Sequence, residues 1–174
     1  IDTRDWSSDV CSSDLEKYQQ YSRIARGLEK ADLVLKDARI VNVFTEEIIR
    51  GDIAIQDGII AGIGSFHGKE ERDLAGRYVC PGFIDSHLHL ESTLVTPAEL
   101  VTAASRHGTT TFIVDPHESA NVSGLAGIDY ILDQTEDVKA NVYVMMPSCV
   151  PATAIDDNGC TLTAEDMADR KSVV

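Results

Sequence analysis

Positive charge is what this sequence has least of: 15 lysines and arginines stand against 29 aspartates and glutamates, for a formal net charge of −14. That balance excludes a nucleic-acid backbone as partner, because such binding rests on neutralising phosphates with basic side chains. Cysteine is scarce too. Cys11, Cys80, Cys149 and Cys160 are scattered without a Cys-x-x-Cys pair, which excludes a dense disulfide scaffold and leaves reduced thiols as the expectation. No apolar run approaches the ~18 residues of a membrane-crossing helix. The first residues are polar and acidic, with no basic start before an apolar core, so neither a membrane partner nor a signal peptide is expected. Cytoplasmic small-molecule metabolism fits these absences.

What is present is 43% apolar residues, enough to build a core. Both ends look foreign to it. Residues 9–15 (Asp-Val-Cys-Ser-Ser-Asp-Leu) resemble a translated sequencing adapter, and residues 169–174 back-translate to GAT CGG AAG AGC GTC GTG. The stretch GATCGGAAGAGC is the reverse complement of one the first tail can encode. Residues 1–15 and 169–174 are therefore expected to be adapter artefacts and are set aside.

Within residues 16–30, Tyr18, Tyr21, Ile24, Ala25 and Leu28 recur at three- and four-residue spacing, which predicts a short amphipathic helix. From Ala31 the period shortens. Leu33, Leu35, Val41 and Val43 fall at strand spacing around a turn or bulge at Asp37-Ala38, and Ile53 and Ile55 alternate again. Asp57-Gly58 signals a hairpin, residues 59–63 the returning strand, and Gly76 a further turn into Tyr78-Val79-Cys80. A small antiparallel β domain closing near residue 80 is expected.

After Pro81-Gly82 the pattern becomes β-α-β-α-β: apolar strands at 83–90, 109–114 and 142–146, with helices from about 97 to 106 and from 125 to 134. Thr96-Pro97-Ala98-Glu99 reads as a capping box, and Gly108 as a left-handed stop. Such an order makes neighbouring parallel strands. Each strand ends in a polar cluster, namely His87-Leu88-His89-Leu90-Glu91, Asp115-Pro116-His117-Glu118, and Pro147-Ser148-Cys149-Val150-Pro151. In a (β/α)8 barrel of the TIM type the carboxyl ends carry the active site.

Two residues apart on a strand, His87 and His89 would face the same side, and two convergent imidazoles suit zinc, manganese or iron. Asp85 shares their parity and is expected to orient a ligand from behind; Glu91, of the same parity, is expected either to sit at the mouth or to bind metal. Asp115, His117 and Glu118 combine a rigid turn with groups able to bind metal, move protons or grip a polar substrate. Ser148 and Cys149 lack a nucleophile elbow or paired base, so they read as pocket wall. His67 and His107 read as structural.

Pro81-Gly82-Phe83-Ile84-Asp85-Ser86-His87-Leu88-His89 resembles the first-strand signature of the amidohydrolase superfamily. His89-Leu90-Glu91-Ser92, Val95-Thr96-Pro97-Ala98-Glu99, His107-Gly108-Thr109-Thr110-Thr111, Asp115-Pro116-His117-Glu118 with Ala120-Asn121-Val122, and Pro147-Ser148-Cys149-Val150-Pro151-Ala152 resemble its adenine deaminase branch. The resemblance covers residues 31–167, with Ser86 in place of a usual glycine and Asp156-Asp157-Asn158 in place of Glu-Thr-Ser.

It implies hydrolysis of adenine to hypoxanthine and ammonia by metal-activated hydroxide. It also implies a divalent metal in a binuclear site (manganese favoured over iron or zinc), and possible homo-oligomers. His87 and His89 would be metal ligands, His117 and Glu118 catalytic, and Glu91, Asp115 and Ser148 would bind substrate, with Asp85 behind the ligands. A dihydroorotase-like or amino-sugar deacetylase-like enzyme, or a non-catalytic module, are the alternatives. A whole barrel needs ~250 residues, and residues 81–168 offer the first three strands, so the chain alone is expected to be an inactive fragment.

Overall fold

Two turn signals and one proline-glycine step decide where the chain reverses. The computed structural model describes residues 12–153 and 155–169. Residues 1–11 and 170–174, which hold most of the two tails expected to be foreign, lie outside the described residues. The chain divides into two compact units between Pro81 and Gly82. No helix among the described residues is long and apolar enough to cross a membrane.

The first unit is organised by one long strand, β1 (Ala31–Asn42), which pairs antiparallel with β2 (Glu47–Gln56); β2 pairs antiparallel with β3 (Ile59–Gly64). Asp57 and Gly58 form the β2–β3 turn with φ of 52° and 77°, the left-handed pair that a two-residue hairpin requires. The irregularity expected at Asp37-Ala38 is a bulge: the β1–β2 register shifts between Leu35 and Ala38, and Asp37 adopts φ 50°.

Two further strands, β4 (Gly68–Asp73) and β5 (Tyr78–Val79), pair with β1 in parallel, so the antiparallel β1–β2–β3 meander sits in a mixed sheet. The sequence reading assigns no strand to the segment that forms β4. Its Lys-Glu-Glu-Arg-Asp side chains are exposed. Backbone pairing makes this edge strand, and hydrophobic period cannot reveal it.

Helix α1 (Ser12–Ala25) starts inside the tail expected to be foreign and ends before the predicted residue 30. Gly27, at φ 70°, turns the chain away, so Leu28 is exposed and only Ile24 of the predicted apolar face is buried. Ile24 packs with Ala31, Val34, Ala54 and Phe66, while Ala38, Ile40 and Ile53 form a second small cluster.

In the second unit three parallel strands, β6 (Phe83–Leu88), β7 (Thr109–Val114) and β8 (Asn141–Val144), lie in that order in one sheet. A Cβ on Gly82 would meet Thr110 Oγ1 at 2.0 Å, so the Pro-Gly step is what lets β6 lie against β7. Helix α2 (Pro97–Ser105) begins where the sequence indicates, with Pro97 in its first turn, but Thr96 makes no side-chain cap hydrogen bond. The predicted capping box is therefore not formed, and Pro97 and Val101 hold this end by burial. Gly108 stops the segment at φ 103°.

Between β7 and α4 (Leu125–Thr135) lies a short helix, α3 (His117–Ser123), in a segment expected to be only a turn. A last helix, α5 (Ala164–Asp169), closes the described chain. Leu90, Val101, Phe112, Val114, Ala120, Ile128, Ile131, Val144 and Val150 form one core under the sheet.

Candidate metal centre

Strand alternation places the histidines. Leu90 is fully buried and Leu88 packs against the same core, which turns His87 and His89 to the other side. The strand itself ends at Leu88, earlier than expected, so His89 stands just past it. Asp115 N–H donates to Leu88 O at 2.9 Å and Met145 N–H to Val114 O at 2.7 Å, which carries the ladder past the strand ends and brings the carboxyl ends level.

The two imidazoles meet. His87 Nε2 lies 3.1 Å from His89 Nε2, with ring centroids 4.9 Å apart and planes at 83°. Asp115, which follows β7, brings a carboxylate oxygen within 4.8 Å of a nitrogen on each. Its Oδ1 is buried and has no hydrogen-bond partner. Two nitrogens that each sit about 2.0–2.1 Å from one zinc ion are roughly 2.9–3.4 Å apart for angles between right and tetrahedral. The spacing, the imidazole–carboxylate donor set and the orphaned oxygen all fit a divalent transition metal.

Around His89 lies a second grouping. The ligand atoms of His89, Glu91 and Glu118 also fall within 4.8 Å of one another. Glu91 Oε1 accepts from the backbone N–H of Glu118 (3.0 Å) and of Ser119 (3.1 Å), so it caps α3 from outside the helix. Its Oε2 is buried without a partner. Burial, reinforced by the neighbouring Glu118 carboxylate, pushes the Glu91 carboxyl above the ordinary glutamate range.

Glu118 moves the other way. Burial opposes its charge, but the Ser92 hydroxyl at 2.8 Å, the Glu91 side chain and His89 together hold its carboxyl below the usual range. Glu118 Oε2 lies 3.2 Å from His89 Nδ1. That is close enough for charge attraction but not aligned as a hydrogen bond, which leaves Nδ1 unpaired.

Other expected site residues fall differently. Asp85 Oδ1 accepts from the His87 backbone N–H at 3.3 Å. His117 is the half-buried first residue of α3 and joins neither group. Ser148 is exposed in the loop after β8. Outside this unit, His67 pairs with Glu71 at 3.2 Å on the surface. Sequence reading missed the Ser92–Glu118 contact, 26 residues apart with no period to link them, and the buried, unpartnered Asn121 Oδ1.

The chain matches the Amidohydrolase family over residues 78–173. It is 60% identical over 141 residues to an adenine deaminase of Desulfitobacterium hafniense, covering 81% of this chain and 25% of that protein. It is 52% identical over 145 residues to an adenine deaminase of Clostridium acetobutylicum, covering 83% and 25%. The chain thus spans about a quarter of the length of these relatives. Among solved structures it resembles an N-acyl-D-glutamate deacylase from Bordetella bronchiseptica, determined with zinc and a phosphonate inhibitor. That likeness has a TM-score of 0.53 and 23% identity, covers 80% of this chain and 34% of the other, and speaks to fold alone. The profile match spans more than half the sequence and takes in the histidine pair and its carboxylates: the chain belongs to the amidohydrolase family.

Proposed function

We propose that a full-length protein carrying this segment deaminates adenine hydrolytically, giving hypoxanthine and ammonia, and that this chain supplies the first three strands of a (β/α)8 barrel after a small β domain. The observation that carries the reading is the convergence of His87, His89 and Asp115 at level strand ends, within a segment 60% identical to an adenine deaminase. Residues 16–80 would form the leading domain and residues 81–168 the start of the barrel, in a cytoplasmic enzyme. A binuclear site, manganese in preference to iron or zinc, and assembly into homo-oligomers rest on the resemblance and belong to the same proposal.

His87 and His89 would hold the metal through Nε2, with Asp115 as a third ligand. A divalent metal bound there supplies a Lewis acid that lowers the pKa of water toward neutrality. Glu118, kept ionised by its neighbours, takes a proton from the attacking water and returns it to the departing amino nitrogen. Adenine and water thus become hypoxanthine and ammonia with no net proton left over. Glu91 holds α3, and with it Glu118, against the strand end. Ser148 and His117 would border the purine from neighbouring loops, and Asp85 steadies the His87 backbone.

The test is to follow hypoxanthine and ammonia released from adenine by the full-length protein, with metal analysis on the same sample. Stoichiometric release that chelation stops and metal restores is expected. A metal-loaded protein that leaves adenine unchanged would refute the substrate.

A further inference from the structure

Glu118 is an exposed side chain with a demanding role. About half of its side-chain surface is open to solvent, so core packing does not choose its rotamer, and a free glutamate would spread over several. Yet one carboxylate oxygen sits 3.2 Å from His89 Nδ1.

Two consecutive residues hold it there. Glu91 Oε1 takes the Glu118 backbone N–H at 3.0 Å, and Ser92 Oγ donates to Glu118 Oε1 at 2.8 Å. Residue 118 is therefore gripped by both main chain and side chain. Ser92 is itself well anchored. It lies in the short 3-10 turn Glu91–Thr93, which follows the fully buried Leu90. Thr93 ties that turn to Leu90 O twice, through its N–H at 3.2 Å and its hydroxyl at 2.6 Å. Leu94, at φ 63°, ends it. The serine hydroxyl is thus presented from a fixed backbone, and it occupies Oε1 so that Oε2 remains for His89.

We infer that Ser92 is a positioning residue that latches the Glu118 carboxylate against His89 and acts on the reaction only through Glu118. The inference rests on the proposed roles of His89 and Glu118. Carboxylates that touch the second nitrogen of a metal-bound imidazole fix the ring and its tautomer, and losing such support typically costs 10- to 100-fold.

A double-mutant cycle in the full-length, zinc-loaded protein tests this, with two readouts. Ser92→Ala should lower kcat for adenine about ten-fold while KM and metal content stay near wild type. Ser92→Thr should restore most of the loss. In a Glu118→Ala background, Ser92→Ala should do nothing further. The second readout is 15N NMR of the histidine rings: the His89 Nδ1 proton should exchange with solvent faster in Ser92→Ala and in Glu118→Ala alike.

If Ser92→Ala fails to fold, Ser92→Cys keeps the shape, weakens the donor and is read the same way. An equal kcat loss in both backgrounds, or an unchanged His89 proton, overturns the latch. A protein that shows the coupled NMR change but never turns over adenine keeps the latch and loses the proposed substrate.

Discussion

Asp52 and Asp115 are both acids withdrawn from solvent, one in each unit, and they are treated oppositely. Asp52 is buried in the β unit with both oxygens used: Oδ1 accepts from the Asp37 N–H at 3.1 Å, and Oδ2 from the Phe66 N–H at 3.2 Å and from Lys36 Nζ. Gln56, also buried there, exchanges hydrogen bonds with Asp32 at 3.1 and 2.7 Å. Asp115 instead leaves Oδ1 buried and unpartnered, and so do His89 Nδ1, Glu91 Oε2 and Asn121 Oδ1.

All four of these atoms belong to the second unit, among the described residues. A buried polar atom without a partner typically costs ~1–3 kcal/mol, so native structures keep few of them and keep them for a reason. Polar burial in the first unit finishes a fold. In the second it leaves Asp115 Oδ1 and Glu91 Oε2, both in the groups that could hold a metal, without a hydrogen-bond partner.

The sharpest way to break this contrast is to empty the open positions. His87→Ala or His89→Ala in the full-length protein should lower adenine turnover by roughly three orders of magnitude or more, seen in kcat, with metal content falling alongside. Thermal unfolding should move little, because neither imidazole fills the apolar core. His67→Ala, in the other unit and paired with surface Glu71, should change neither metal content nor turnover.

Emptying a satisfied position should do the reverse. Asp52→Ala removes one partner of a partly buried ion pair and strands two backbone N–H groups, so denaturant unfolding should show a loss of about 3 kcal/mol while the metal-binding stoichiometry stays the same.

The same acid sets a pH signature. Burial alone would raise the Asp52 carboxyl, but Lys36 and the amides of Asp37 and Phe66 outweigh it and hold it below the ordinary aspartate value of 3.8. A depressed folded-state pKa gives stability that is complete above the unfolded value and is lost as pH falls through the folded one. The stabilisation that Asp52 gives the β unit should thus be full and independent of pH near neutrality and be lost only under acid conditions. Asp52→Asn should remove that acid-limb component. The smallest effect belongs to Thr96→Ala. A threonine cap typically contributes ~1 kcal/mol, but Thr96 makes no cap hydrogen bond, so unfolding should shift by less than about 0.5 kcal/mol.

How far the sequence could be read follows the same division. Hydrophobic alternation located β1 and β2, the Asp57-Gly58 turn placed the returning β3, and apolar runs located the three parallel strands, although β3 and β6 hold no buried residue. Turn chemistry located Asp57-Gly58, Gly76 and Gly108, where φ is positive. The histidine pair was legible because period two is local. What failed depended on distant partners. Strand β4 exists by pairing with β1 and carries no apolar pattern. Helix α3 is capped by Glu91, which lies 27 residues before Glu118. Thr96-x-x-Glu99 has the letters of a capping box, but in the fold Thr96 makes no such bond, and burial of Pro97 and Val101 secures the helix start. The α1 boundary was misplaced because Gly27 ends the helix before the periodic residues do.

The central claim is that this segment's paired imidazoles bind the metal, and X-ray absorption at the metal edge of the loaded full-length protein tests it most directly. The wild type should show imidazole nitrogen in the first coordination shell, at about 2.0–2.1 Å for zinc. A His87→Ala/His89→Ala double variant, loaded to whatever extent it still binds, should show two fewer. An unchanged imidazole count in that variant would contradict the account.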